Sequence, residues 1–464
     1  MSTNNETQAL HGLDGLENRL RGPDLQEGSP SAQMVISIVL PGVPAFRRNP
    51  PLALLLSVLG IVVPVLGALW AYANRDDLIG FALDERFLLG VVVVGLLAVV
   101  VRLAAIAEIG HAFRRTPGIG GRTAVATVVV LALSIPVLWV ALRANEARSA
   151  VGNVFASSDG EPLFEPSMDG GDAADGVDPV DPDSVKNILL LGGDAGPGRW
   201  GLRTDTMIVV TVHEASGRTS LVSIPRNLTR LQFPPGSPLR EAFPDGFDDL
   251  ANAVFPYVST RDELLEHYSR DGRQPEAVAL AEAIGYSLEI KIDDYALVNM
   301  QGFLEVIDAI GGVDIEIAQA LPMPGTIPGA KRELPATLGP GMKHLDGTLA
   351  IAYVRSRSAD SDYQRMGRQR QLLSALGSQV STTDALRAFG SVTGDLENSM
   401  RTSLSSGEFS ELLDRLGDND GIHESVGLTP PLITPGSPDY PFIQSVIDAV
   451  ELAVVSGGDS GFAS

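Results

Sequence analysis

Cysteine is absent from all 464 residues, which excludes disulfides, thiolate nucleophiles and cysteine metal centres. That absence suits an exported domain that must not misoxidise. Lysine is nearly absent too: four of the 34 basic residues are lysines, against 57 acidic residues and a formal net charge of −23. Such an acidic balance disfavours nucleic-acid binding. The six histidines show no zinc-ligand spacing, and neither His213 nor His344 has a Gly-x-Ser-x-Gly partner, which argues against a serine hydrolase. No internal repeat is visible.

Apolar sequence is abundant, at 44% hydrophobic residues, and it is concentrated in three runs, 51–72, 87–109 and 124–142. Each is close to the ~20 residues that a bilayer-spanning helix needs. Arg102 and Glu108 are the only charges within them, both near the end of a run where a long side chain can snorkel. Arg47 and Arg48 precede the first run, and Arg114, Arg115 and Arg122 lie between the second and third. The loop between the first two carries Asp76, Asp77, Asp84 and Glu85 against Arg75 and Arg86. This is the positive-inside pattern of a multi-pass protein with a cytoplasmic N-terminus, and three crossings place the chain beyond about Arg148 outside the cell membrane.

The composition implies five segments. Residues 1–46 are polar and expected to be disordered in the cytoplasm, and 47–145 hold the three transmembrane helices. Residues 146–185 are rich in Gly, Asp, Ser and Pro, with no Lys or Arg from 150 to 185, and read as a flexible acidic stalk. Residues 186–385 read as the extracytoplasmic domain, and 386–464 as a C-terminal helical extension and tail. Within 186–385, strands are expected at 187–191, 207–212, 219–224, 295–298 and 313–317, the second and third joined by the turn Ala215-Ser216-Gly217-Arg218. Helices are expected at 263–268, 275–285, 301–310, 346–354 and 365–380, with further ones at 406–416 and 441–455. Alternation of this kind argues for an α/β fold with a mixed central sheet and helices on its faces.

Chemistry-bearing residues cluster at the expected ends of these elements. Gly192-Gly193-Asp194 follows a strand and Arg203-Thr204-Asp205 opens the next, so Asp194 and Asp205 could share a hard divalent cation, or each could cap a turn. Ser223-Ile224-Pro225 ends a strand and projects Arg226 and then Arg230. Arg355 and Arg357 close the apolar run 349–354, where clustered cations repel unless an anion lies between them. Asp362 is followed by Arg365, Arg368 and Gln369, which share a helix face at i, i+3 and i+4. Arginines beside carboxylates that can hold a cation point to phosphate or pyrophosphate.

In their order and spacing, the segments 187–194, 203–207, 223–226, 295–314 with Gly311-Gly312-Val313, and 345–369 with Leu345-Asp346-Gly347 resemble the LytR-CpsA-Psr family of cell-wall ligases. The resemblance implies a three-layer α-β-α domain, tethered by membrane helices. That domain would transfer a glycopolymer from a polyprenyl pyrophosphate carrier to a peptidoglycan sugar hydroxyl, with release of polyprenyl phosphate. It implies Mg²⁺, or Mn²⁺ in its place, on Asp194 and Asp205. Arg203, Arg226, Arg230, Arg355, Arg357, Arg365, Arg368 and Gln369 would surround the pyrophosphate. Arg203, Arg226 and Asp362 would serve catalysis, Asp362 as the candidate base. An apolar slot for the lipid is expected between sheet and helices, lined from 297–310. Two departures stand out: Asn227 occupies a position usually held by Asp, and three spans replace the commoner single anchor. A pyrophosphatase that delivers the lipid phosphate to water, or a non-catalytic envelope regulator or glycan-binding protein, are the alternatives.

Overall fold

The computed structural model describes residues 66–67, 69–70, 73, 81, 84–113, 120–155, 161–166, 181, 184–193, 203–270, 272–325, 327, 329–356, 361–379, 399–409, 412 and 422–463. The described residues fall into two compact units, one comprising those up to Leu78 with Leu89–Asn145, the other Ile79–Leu88 with Glu146 onward.

Two helices supply most of the first unit, α1 (Glu85–Phe113) and α2 (Gly120–Val154). Glycine at position 95 lets them approach closely, since a Cβ there would lie 2.9 Å from that of Ala141. Their remaining surface is apolar and exposed, with Val93, Leu97, Val100, Ile135, Leu138 and Leu142 all facing outward. Among the described residues, one helix is long and apolar enough to cross a membrane, over Glu85–Ala104 with mean hydropathy 2.8. It coincides with the second expected span. The third lies inside α2, and the first falls mostly outside the described residues.

A six-stranded mixed sheet organises the second unit. Its strands are β1 (Val185–Gly193), β2 (Thr204–His213), β3 (Thr219–Ser223), β4 (Asp294–Asn299), β7 (Met400–Thr402) and β8 (Ile422–Gly427), in the order β8-β3-β2-β1-β4-β7. Pairs β8/β3 and β1/β4 are parallel, and the others antiparallel. A separate two-stranded ribbon joins β5 (Val313–Ile317) to β6 (Gly341–Leu345). The β2–β3 connection is the expected hairpin, closed by the Gly217 N–H on the His213 carbonyl at 2.7 Å. Alternation along the strands sorts the core. Leu189, Leu191, Met207, Val209, Val222 and Ile224 enter the larger cluster, whereas Ile208, Val210, Val212 and Leu221 face the other side.

Helices cover both faces. In the larger cluster, α3 (Val254–Ser259), α4 (Asp262–Tyr268), α5 (Pro275–Leu288) and α9 (Tyr440–Ser456) pack together. On the other side lie α6 (Met300–Ala309), α7 (Gly347–Arg355) and α8 (Asp362–Gln379). The Leu345-Asp346-Gly347 motif has a structural reading here. Leu345 is buried, Asp346 caps α7 by accepting from the Leu349 N–H at 2.8 Å, and a Cβ on residue 347 would come within 2.1 Å of the Leu304 carbonyl.

Two strands and a helix that follow residue 385 are thus built into this layered unit. Helix α9 is fastened by Arg218, whose Nε donates to the Val454 carbonyl at 2.7 Å and whose Nη2 reaches that of Val455. Of the stretch expected to form a stalk, residues 146–154 continue α2, with Val154 buried, and Phe155 bridges to Thr402. Leu163 is buried, and Phe164 exchanges backbone hydrogen bonds with Ile292. Residues 156–160 and 167–180 lie outside the described residues.

Candidate active site

Strands β1, β3 and β4 run the same way, so their carboxyl ends gather on one edge together with the start of β2. In open α/β sheets that edge is where ligands bind. Register fixes what stands there. Val298, Gly192 and Thr206 form one rung across β4, β1 and β2, and Ala296, Leu190 and Ile208 form the next rung inward on the same face. Gly192 is required, since a Cβ there would lie 2.8 Å from the Thr206 Cβ.

These two rungs floor a cavity of about 350 Å³, roofed by Met300 and Phe303 of α6, Ile351, Val354 and Arg355 of α7, and Arg365, Gln369, Leu372 and Leu373 of α8. The cavity occupies the place expected for the apolar slot. Val298, Met300 and Phe303 line it from the expected segment, whereas Leu297 points to the opposite core.

Beside its polar lining, Asp205 and Arg365 join Arg226 and Asp362 in a ring that closes through the Asp205 main chain. Arg226, just beyond the end of β3, donates from Nη1 to Asp205 Oδ1 at 3.0 Å and from Nε to Asp362 Oδ2 at 3.1 Å. Arg365, one turn into α8, donates to Asp362 Oδ1 at 3.1 Å and returns to the Asp205 carbonyl at 3.1 Å. Asp205 also accepts from Asn252 Nδ2 at 3.0 Å. Burial alone would raise the Asp205 carboxyl, but the hydrogen bond and charge of Arg226, with help from Asn252 and Arg365, hold it below the usual carboxylate range. Conversely, burial would lower Arg226, and its two carboxylates outweigh that and raise it. Gln369, one turn after Arg365, donates to Thr206 Oγ1 at 2.8 Å.

Of the residues singled out from sequence, Asp205, Arg226, Arg355, Asp362, Arg365 and Gln369 come together in the ring or the cavity lining. Arg368 shares their helix face by spacing but turns toward α7. There it donates to the carbonyls of Tyr353 at 3.1 Å and Ser356 at 2.5 Å, groups that the end of a helix leaves without intrahelical donors. Arg203 is exposed at the start of β2. Arg230 is exposed on left-handed backbone with φ 58° and does not line the cavity. Asp194 and Arg357 lie outside the described residues. Among the described residues no group of three or more Asp, Glu or His is arranged to hold a metal.

Sequence reading passed over Asn252 and Tyr363. Tyr363 receives a hydrogen bond from Asn227 Nδ2 at 3.3 Å, next to Asp362. A signal for Asn252 was present, since it is the one polar residue in the apolar run Leu250-Ala251-Asn252-Ala253-Val254-Phe255.

The sequence model of the LytR_cpsA_psr family matches residues 165–426. Biofilm regulatory protein A of Streptococcus mutans is 27% identical over 236 residues, covering 49% of this chain and 52% of that protein. The polyisoprenyl-teichoic acid–peptidoglycan teichoic acid transferase TagU of Oceanobacillus iheyensis is 29% identical over 231 residues, covering 49% of this chain and 61% of that protein. The match therefore spans between half and two-thirds of the length of these curated relatives. Among solved structures, that of Bacillus subtilis TagV covers 59% of this chain and 98% of its own, at 23% identity and a TM-score of 0.42.

Proposed function

The chain belongs to the LytR-CpsA-Psr family, and from that membership we propose that it is a phosphotransferase that moves a glycopolymer from a polyprenyl pyrophosphate carrier to a peptidoglycan sugar hydroxyl. One observation carries the reading: an apolar cavity is lined at one end by Asp205, Arg355, Arg365 and Gln369, two of which belong to the ring built on Arg226. A lipid pyrophosphate has the same division into apolar tail and anionic head. Relatives named as teichoic acid transferases support the substrate class.

In the proposed reaction the acceptor hydroxyl oxygen attacks the glycan-bearing phosphorus, the bond from that phosphorus to the bridging oxygen breaks, and polyprenyl phosphate leaves. Charge then accumulates on the non-bridging oxygens and the leaving phosphate. Arg226 and Arg365, now bound to carboxylates, can exchange those partners for phosphate oxygens, which their planar forks accept bidentately. As the arginines move to phosphate, Asp362 is released to take the hydroxyl proton. Preformed donors of this kind are worth more in a partly dry pocket than in water. Arg355, Gln369 and the exposed Arg203 and Arg230 complete the assignment to the pyrophosphate and its surroundings.

The Asp205 carboxylate supports a magnesium site, since it lines the cavity, its pKa is lowered by Arg226, and carboxylate oxygen is the hard donor that Mg²⁺ prefers. Asp205, with Asp194, would hold Mg²⁺, which when bound neutralises phosphate charge.

For localisation we assign three membrane spans, a cytoplasmic N-terminus and an extracytoplasmic catalytic unit. The apolar exposed faces of α1 and α2 and the distribution of arginines support this. The test is turnover of a polyprenyl-pyrophosphate saccharide by the purified chain, with Mg²⁺ or EDTA and with or without peptidoglycan, alongside Arg226→Ala and Asp205→Ala. Glycan attached to peptidoglycan, lost with EDTA and in both variants, is the expected result. Lipid phosphate released without attachment would instead make the protein a pyrophosphatase. Binding without turnover in all three would leave a regulator.

A further inference from the structure

Asn252 lies in the short 3₁₀ turn Ala251–Ala253 and is 1% exposed. Its backbone N–H donates to the Arg226 carbonyl at 3.2 Å, and its Nδ2 donates to Asp205 Oδ1 at 3.0 Å. That same oxygen receives Arg226 Nη1 at 3.0 Å. One side chain thus fixes the backbone of the arginine and the carboxylate it pairs with. Because a carboxylate only accepts, the amide must present its NH₂ group to Asp205, and the orientation of Asn252 follows from chemistry. Its Oδ1 is then left buried with no hydrogen-bond partner. An unpaired buried carboxamide oxygen is destabilising, and an apolar side chain of similar shape would avoid it. What asparagine adds over such a side chain is the hydrogen bond to the Asp205 carboxylate.

We propose that Asn252 is a positioning residue for the phosphoryl transfer, resting on the function proposed above. By holding Asp205 Oδ1 from a rigid turn it stops the carboxylate rotating about its Cβ–Cγ bond. Asp205 is thereby held in one geometry, and Arg226 turns to the pyrophosphate from a fixed starting position. Asn252 does not line the cavity and acts through Asp205.

The experiment uses the full chain in detergent, with geranyl pyrophosphate as a soluble carrier head for calorimetric binding, and with saccharide transfer measured in parallel. Asn252→Leu keeps the branched outline at greater bulk and removes the donor, Asn252→Ser keeps a shorter donor, and each is also made in an Asp205→Ala background. Asn252→Leu is expected to lower kcat by about 10- to 100-fold, in the range of lost orienting contacts, with KM changed less. The kcat loss should exceed what any fall in melting temperature accounts for at the assay temperature, and Asn252→Ser should recover part of it. Geranyl pyrophosphate affinity should fall about tenfold with Asn252→Leu alone and not further once Asp205 is alanine, the non-additivity of a residue acting through its neighbour. Equal losses in both backgrounds, or losses that only track the folded fraction, would overturn the assignment. If the wild type binds geranyl pyrophosphate but transfers nothing, the proposed function falls while the binding cycle still decides on Asn252. Failure of the wild type to bind overturns both.

Discussion

Glu451 on α9 should make the second unit less stable as pH rises, and replacing it with glutamine should remove that dependence. Its Oε1 accepts from Nδ2 of Asn187, itself 1% exposed on β1, at 3.1 Å. Asp293, which accepts from the Asn187 N–H at 2.7 Å and pairs with Lys291 at 3.1 Å, lies nearby, as does Asp448. Burial, reinforced by these two carboxylates and opposed by the Asn187 hydrogen bond, pushes Glu451 from its ordinary 4.5 up to about 7. The folded chain therefore keeps a proton that the unfolded chain releases between those values, so stability present below pH 4.5 is lost as pH rises through 7. At about 1.4 kcal/mol per pH unit, the difference corresponds to roughly 3 kcal/mol, or about 2 between pH 5 and 8 once residual solvent contact is allowed for. In a unit of this size that is a Tm difference of about 4–8 °C. Calorimetric melting of the detergent-solubilised chain at pH 5 and pH 8 reads it directly. Wild type should lose those degrees at pH 8, and Glu451→Gln should lose far fewer. Parallel curves for the two proteins would refute the reasoning, because they would place the titrating group elsewhere.

Four further outcomes rest on the same geometry. Arg226→Lys replaces a fork that spans Asp205 and Asp362 by a point charge, and should lower kcat by about 10²- to 10³-fold in the transfer assay. Leu190→Trp intrudes on the apolar rung of the cavity and should raise KM for long-chain carriers more than for a geranyl carrier, read from paired kinetics. Gly347→Ala forces a methyl against the Leu304 carbonyl and should destabilise the unit by about 1–3 kcal/mol, measured as a fall in Tm. Arg218→Ala removes charged hydrogen bonds to the last carbonyls of α9 and should cost about 1.5–3 kcal/mol, with amide exchange rising first along that helix.

The sequence showed most where one physical signal dominated. Strands β1 to β4 and helices α4 to α8 were legible because β-branched runs or apolar periodicity matched a buried face. Strands β7 and β8 were not. The first has three residues, and β8 turns Glu424 inward, 4% exposed, where the alternation calls for an apolar side chain. Ser460 satisfies that glutamate through its N–H at 3.1 Å and its hydroxyl at 2.9 Å, a compensation invisible in a strand-length window. In the site, Arg226, Asp362 and Arg365 could be read because charge beside apolar sequence is conspicuous. Arg368 shows the limit of that signal, because helical spacing fixes a face but not whether a long side chain turns to the ligand or to a neighbouring helix end. Asn252 stands out as polar in an apolar run, but an uncharged amide there does not by itself separate a site residue from a buried structural one.

Strand β8 pairs with β3 across roughly two hundred residues of intervening chain, and that separation has a consequence for biogenesis. If the unit matures outside the membrane as proposed, an emerging chain can form the β1–β2–β3 meander early, but β3 keeps a bare edge until the last part of the polypeptide has been exported. Pairings so distant in sequence form slowly, and open edges recruit other strands. Export would therefore pass through an interval in which this edge depends on envelope chaperones or on speed. A chain cut short before residue 422 would be an aggregation hazard at the cell surface rather than a trimmed enzyme.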